Sequence, residues 1–133
     1  IPQVLAECRR VLKNGGRFLC STYGKQHMRE ITDLVQQFHK EIVLSAEVLY
    51  ERFGLENGEN LLAPYFPEIQ MRRYEDAIEI AEAEPLISYI LSCHGNQNQL
   101  LLNQYKEFRE FVSARVADGF HITKEAGIFL CRK

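Results

Sequence analysis

The chain has 133 residues, 46% of them hydrophobic and 26% charged, with a formal net charge of −2. This is the balance of an ordinary globular domain, and its mixed signs offer no basic face of the kind that nucleic acid requires. The uncharged apolar stretches fall well short of the roughly 20 residues of a membrane span, and no cationic segment followed by an apolar run opens the chain, so neither a membrane anchor nor a signal peptide is expected. A soluble, cytoplasmic protein is the expectation.

The first element is a helix. Ile1, Val4, Leu5, Cys8, Val11 and Leu12 recur at helical spacing, with Glu7, Arg9, Arg10 and Lys13 on the other side. Asn14-Gly15-Gly16 ends it, since Asn and Gly accept the left-handed conformation at a helix C-terminus. Arg17-Phe18-Leu19-Cys20-Ser21-Thr22 then reads as a largely buried strand that closes at Tyr23-Gly24. Because the chain opens on Ile1-Pro2 with a helix already under way, a fragment of a longer protein is expected.

Helical spacing resumes with Met28, Ile31, Leu34, Val35, Phe38 and Ile42. Ser45 is in place to cap a short helix carrying Val48, Leu49 and Phe53. Asn57-Gly58 opens another over residues 59–65, stopped by Pro67. Residues 69–80 read as a strand of imperfect alternation. A helix apolar nearly all round is expected over 84–93, with Pro85 in its first turn. Leu101, Tyr105, Phe108, Val112 and Val116 predict one long amphipathic helix ended by Asp118-Gly119. Residues 120–131 close the chain as one long strand, or as two halves bent at 124–127.

Cys8, Cys20, Cys93 and Cys131 form no CxxC pair, and His27, His39, His94 and His121 have no metal-ligand spacing around them. Each cysteine sits in an apolar run, where a free thiol acts as a small hydrophobe, and no metal is expected.

The run from Leu5 to Leu19, with Leu12-Lys13-Asn14-Gly15-Gly16 at its centre, resembles a signature of class I S-adenosylmethionine-dependent methyltransferases. There a helix ending in Leu-Lys-Pro-Gly-Gly leads into the fifth strand of the sheet. Lys13, Gly15 and Gly16 match, and Asn14 stands where Pro is usual. The likeness continues loosely through Tyr65-Phe66-Pro67-Glu68-Ile69 and Gly127-Ile128-Phe129-Leu130-Cys131.

The resemblance implies an α/β fold: the C-terminal part of a seven-stranded Rossmann-like sheet, strand order 3-2-1-4-5-7-6, with inserted cap helices. On this chain it implies a helix and fifth strand in 1–24 and a helical cap in 25–66. A sixth strand would follow in 67–80, a helical insertion in 81–119 and an antiparallel seventh strand in 120–133. The Gly-rich loop that cradles S-adenosyl-L-methionine in the family has no counterpart here, so no cofactor residue is carried over and this segment is not expected to bind the cofactor well. The implied role is the substrate-facing segment of a methyltransferase acting on a small or medium-sized metabolite. Two alternatives stay open: a non-catalytic helical interaction module, and the end of a nucleotide-dependent dehydrogenase. An upstream strand with GxGxG would support the first reading, and an upstream GxGxxG with Rossmann spacing the last.

Open α/β sheets bind ligands beyond the carboxyl ends of their strands. That places Ser21, Thr22, Tyr23, Gly24 and His27 at the candidate site, with Tyr23 and His27 as hydrogen-bonding groups and His27 also as a proton acceptor. Long insertions at such an end act as lids, which nominates Tyr50, Phe53, Tyr89 and Tyr105 as pocket aromatics. Arg72-Arg73 is a candidate for an acidic substrate against the simpler reading of a solvated face. A fifth strand without its neighbour would leave an open edge, so self-association through Arg17 to Thr22, or through the face of the first helix, is expected.

Overall fold

A computed structural model describes all of residues 1–133. The fold is mixed α/β, with a three-stranded sheet and helices on either side of its strands in sequence. The chain forms two compact units.

The first unit comprises Ile1–His27, Leu49–Glu75 and Glu125–Lys133. Helix α1 (Pro2–Val11) starts on Pro2, whose fixed φ suits a first turn, and carries Arg9 and Arg10 in its last turn. The Lys133 ammonium donates to the Leu12 carbonyl at 2.7 Å, satisfying one of the acceptors a helix end leaves open. Gly15 takes φ +73°, which a side chain would resist, and this turn delivers the chain into strand β1 (Arg17–Tyr23). The turn is tied down from the other terminus: Gly15 N–H donates to the Lys133 carbonyl and Lys133 N–H to the Gly16 carbonyl.

Short helices α3 (Leu49–Arg52) and α4 (Gly58–Leu62) follow in this unit, then the first part of strand β2 (Glu68–Ile80). Its core holds Leu5, Leu55, Leu62, Phe66, Phe129 and Cys131, with Phe18, Cys20, Ile69 and Met71 packed against them. Phe18 and Phe66 stack with centroids 5.3 Å apart. Alternation along β1 puts Phe18 and Cys20 on this core face and leaves Arg17, Leu19 and Ser21 exposed on the other.

The second unit comprises Met28–Val48 and Asp76–Lys124. It holds α2 (Arg29–Phe38), α5 (Ala83–Ser92), α6 (Gln97–Leu101) and α7 (Tyr105–Val116). Ile31, Leu34 and Val35 of α2 meet Leu86, Ile87 and Ile90 of α5 and Phe108, Val112 and Val116 of α7 in one apolar core. Asn96 staples the connection: its side chain accepts from Val43 N–H at 2.8 Å and donates to the Glu41 carbonyl at 2.7 Å.

In the sheet, strand β3 (Phe120–Arg132) lies between β1 and β2. It runs antiparallel to β1, with Arg17 opposite Arg132 and Tyr23 opposite Ala126. Pairs Arg132–Glu68, Arg73–Glu125 and His121–Glu79 descend along one strand as they climb the other, so β2 and β3 are antiparallel as well. β1 and β2 therefore point the same way.

The last strand runs through Lys124 to Gly127 without a break, the first of the two forms read from the sequence. Several boundaries depart from the sequence reading. Ile42 is fully buried but lies beyond α2, which ends at Phe38; core contact, not helix, explains its apolarity. Ser45 caps no helix: its hydroxyl accepts from Glu47 N–H and donates to the Glu47 carbonyl, a local turn that competes with capping. Leu101 belongs to α6, and a break at 102–104 separates it from α7. The expected single cap over 25–66 divides between the two units. No helix is long and apolar enough to cross a membrane.

Candidate functional site

The C-terminal end of β1 is the most elaborated polar region of the first unit. Tyr23 ends the strand, and its carbonyl accepts from Leu55 N–H at 3.3 Å. Thr22 Oγ1 donates to the Phe53 carbonyl at 2.6 Å, which brings α3 beside the strand end. Gly24 N–H donates to the Glu125 carbonyl, carrying the β1–β3 pairing one residue past the last register partner.

Two carboxylates then close on the turn. Glu56 Oε1 accepts from Lys25 N–H at 2.9 Å, and Glu125 Oε2 accepts from Gln26 N–H at 3.0 Å. Backbone amides left open by a turn are strong donors to a carboxylate. Gly24 is what lets both acids approach: a Cβ there would lie 2.3 Å from Glu125 Oε2 and 2.9 Å from Glu56 Oε1. The second oxygen of Glu125 accepts from Arg73 Nη1 at 2.6 Å, and the Glu125 side chain is only 13% exposed. Glu125 thus joins β3, β2 and the turn after β1.

His27 stacks on Tyr23, with ring centroids 5.0 Å apart at 29°. Its Nδ1 accepts from Glu125 N–H at 3.2 Å. An imidazole nitrogen that accepts from an amide carries no proton, so the neutral ring holds its proton on Nε2. The basic lone pair expected to receive a proton is therefore engaged with the backbone. Held in this way, Nδ1 is not placed to take a proton from a bound nucleophile.

Of the residues nominated from the sequence, Thr22, Tyr23, Gly24, His27 and Phe53 gather at this strand end. Tyr50 lines a neighbouring cavity of about 320 Å³ with Lys25, Glu51, Glu56 and Asn57. Ser21 is exposed on the sheet face it shares with Arg17 and Leu19. Tyr89 and Tyr105 belong to the second unit, exposed on α5 and α7, where the Tyr89 hydroxyl meets Met28 Sδ at 3.8 Å. The expected lid aromatics are thus shared between the units. Of the Arg72-Arg73 pair, Arg73 is an internal partner of Glu125.

The sequence reading missed Glu56 and Glu125, and named Arg73 for a substrate rather than for Glu125. Glu125 sits 99 residues from its amide partner and Glu56 31 from its own, so no periodicity or local motif marks them. Their one signal was Gly24, a glycine directly after a strand where a close approach is common.

All four cysteines are free. Burial, with the neighbouring Cys131 and Cys8 adding to it, pushes the Cys20 thiol up to about 11, and burial raises Cys93 and Cys131 too. Such thiols are poor nucleophiles. No group of three or more His, Cys, Asp or Glu side chains is arranged to hold a metal ion.

An apolar cavity of about 240 Å³ is lined by Ile1, Val4, Leu5, Phe18, Cys20 and Phe53, with no hydroxyl, amide or carboxylate side chain that fits the ribose or the amino-acid end of S-adenosyl-L-methionine. No protein-family model matches the chain, and no curated protein matches it.

Proposed function

We propose that this chain is the substrate-side, C-terminal segment of a class I S-adenosylmethionine-dependent methyltransferase acting on a small or medium-sized metabolite. The observation that carries the reading is the strand order β1-β3-β2, with the last strand antiparallel between two strands that share a direction. It is the order 5-7-6 that the helix–Gly-Gly–strand motif implies for these three strands. The seven-stranded Rossmann-like sheet is part of this proposal.

In this reading the end of β1 contacts the substrate. Tyr23 offers a hydroxyl, and the ring of His27 stacks on the tyrosine ring as a second polar group at the strand end. Glu125 positions His27 through its amide and is itself held by Arg73. Methyl transfer from a sulfonium is an in-line displacement that rests mainly on positioning, so the site needs neither a metal nor a nucleophilic side chain.

A second reading, an interaction module, is favoured by one feature. Val4 and Val11 on α1 are 63% and 66% exposed and Leu19 on β1 is 54% exposed, beside an edge strand that pairs on one side only. Amide hydrogen exchange of β1 in dilute protein separates the two readings. In a version lengthened upstream, the methyltransferase reading expects the β1 amides that face away from β3 to become protected by a parallel strand. Outward amides that exchange equally fast in both versions contradict it.

A further inference from the structure

A cavity of about 630 Å³ in the first unit lies where the three strands meet, and Arg17, Arg72 and Arg132 line it with Glu68, Gln70 and Leu130. Arg17 and Arg132 stand directly opposite each other in the β1–β3 register. Like charges in that position repel, and a sheet that keeps them needs something to balance them. Glu68 is a weak counterion: it reaches Arg132 at 3.6 Å, with both side chains more than half exposed.

The distribution of arginines sharpens the point. Of the ten in the chain, eight engage a carboxylate, an amide, a carbonyl or another group. Arg17 and Arg72 are the two that do not, and both line this cavity. Three guanidiniums against one carboxylate leave it with two positive charges. Gln70 adds an amide donor, and Leu130 supplies an apolar patch between the charged ends.

We infer that this cavity binds a phosphate-bearing small molecule carrying at least two negative charges. Arg17 and Arg132, side by side on neighbouring strands, grip one phosphate as a pair of forks. Arg72 lies four residues beyond Glu68 on β2, about 13 Å of strand, and two extended guanidinium arms with a diphosphate between them span that distance. The site is independent of the strand end occupied by Tyr23 and His27 and does not rest on the methyltransferase reading.

The test is titration of inorganic pyrophosphate into the full chain, followed by calorimetry and by amide chemical shifts. R17Q and R72Q are compared with R10Q, which alters an exposed arginine already paired with Glu7. The expected result is saturable binding, shifts centred on β1 and β2 around Arg17 and Arg72, and a loss of about tenfold in affinity in R17Q and in R72Q but not in R10Q. ADP in place of pyrophosphate separates the sources of the phosphate: tighter ADP binding assigns a nucleoside-borne phosphate, and equal binding a free one. Absence of saturation, an equal loss in R10Q, or tighter binding of a single-stranded oligonucleotide than of ADP overturns the inference. Amide spectra of each variant, compared with the parent, establish that the fold is kept.

Discussion

Gly24 shows how much of a site depends on a side chain that is not there. The two carboxylates beside it are the ends of flexible chains, so Gly24→Ala does not meet an immovable wall. It displaces Glu56 and Glu125 from the amides of Lys25 and Gln26 instead. Losing charge-assisted hydrogen bonds of this kind costs about 1.5–3 kcal/mol each, less where water replaces the carboxylate. Urea denaturation of Gly24→Ala is therefore expected to give about 2–4 kcal/mol of destabilisation, with the slope of the transition unchanged. A change below about 0.5 kcal/mol would mean that the carboxylates do not hold the turn. At this scale Thr22, Tyr23, Gly24 and His27 were legible because a strand end is read from its own few residues. Their partners were not, since Glu56 and Glu125 arrive by tertiary contact. The same contact changed the part assigned to His27, whose Nδ1 the Glu125 amide occupies.

At the scale of elements, periodicity located α1, β1, α2, α5, α7 and both long strands. It failed where an apolar residue served the core from outside the helix whose spacing it kept. Ile42 kept the helical spacing of α2 and is fully buried, yet it lies in the connection after the helix. Leu101 kept the spacing of α7 but is buried from α6. Spacing registers which residues face a core and is silent on the backbone between them. Pairing order was beyond the residues themselves and came from the resemblance alone.

One consequence of that order belongs to β1. The strand pairs with β3 on one side only, next to the exposed apolar residues Ile1, which precedes α1, and Val4 and Val11 on it. Open strand edges recruit other chains. Sedimentation of the 133-residue chain is expected to show concentration-dependent association, reduced by Leu19→Lys, which places a charge beside the edge. A clean monomer at high concentration would show that the edge does not pair in solution.

Across the molecule, acid stability tests the packing of the second unit. Burial pushes the Glu30 carboxyl up, but hydrogen bonds from the Thr123 hydroxyl at 2.5 Å and amide at 3.1 Å outweigh it and hold the group below its ordinary 4.5. A depressed folded-state value means that the unfolded chain binds the proton more readily. The stabilisation from Glu30 is then fully present above pH 4.5 and is lost as pH falls through the lower, folded value. Thr123→Val removes the hydroxyl donor, so its stability deficit is expected to be largest near neutral pH and to shrink on acidification. A deficit independent of pH would assign the effect to packing.

The central claim is that this chain completes a methyltransferase whose cofactor site lies elsewhere in the protein. The most direct measurement is calorimetric titration of S-adenosylhomocysteine into the 133-residue chain and into a version lengthened upstream. The account predicts binding by the lengthened protein and none by the chain alone. Binding by neither would contradict it, and would turn attention to the interaction module or, with a nicotinamide cofactor, to the dehydrogenase.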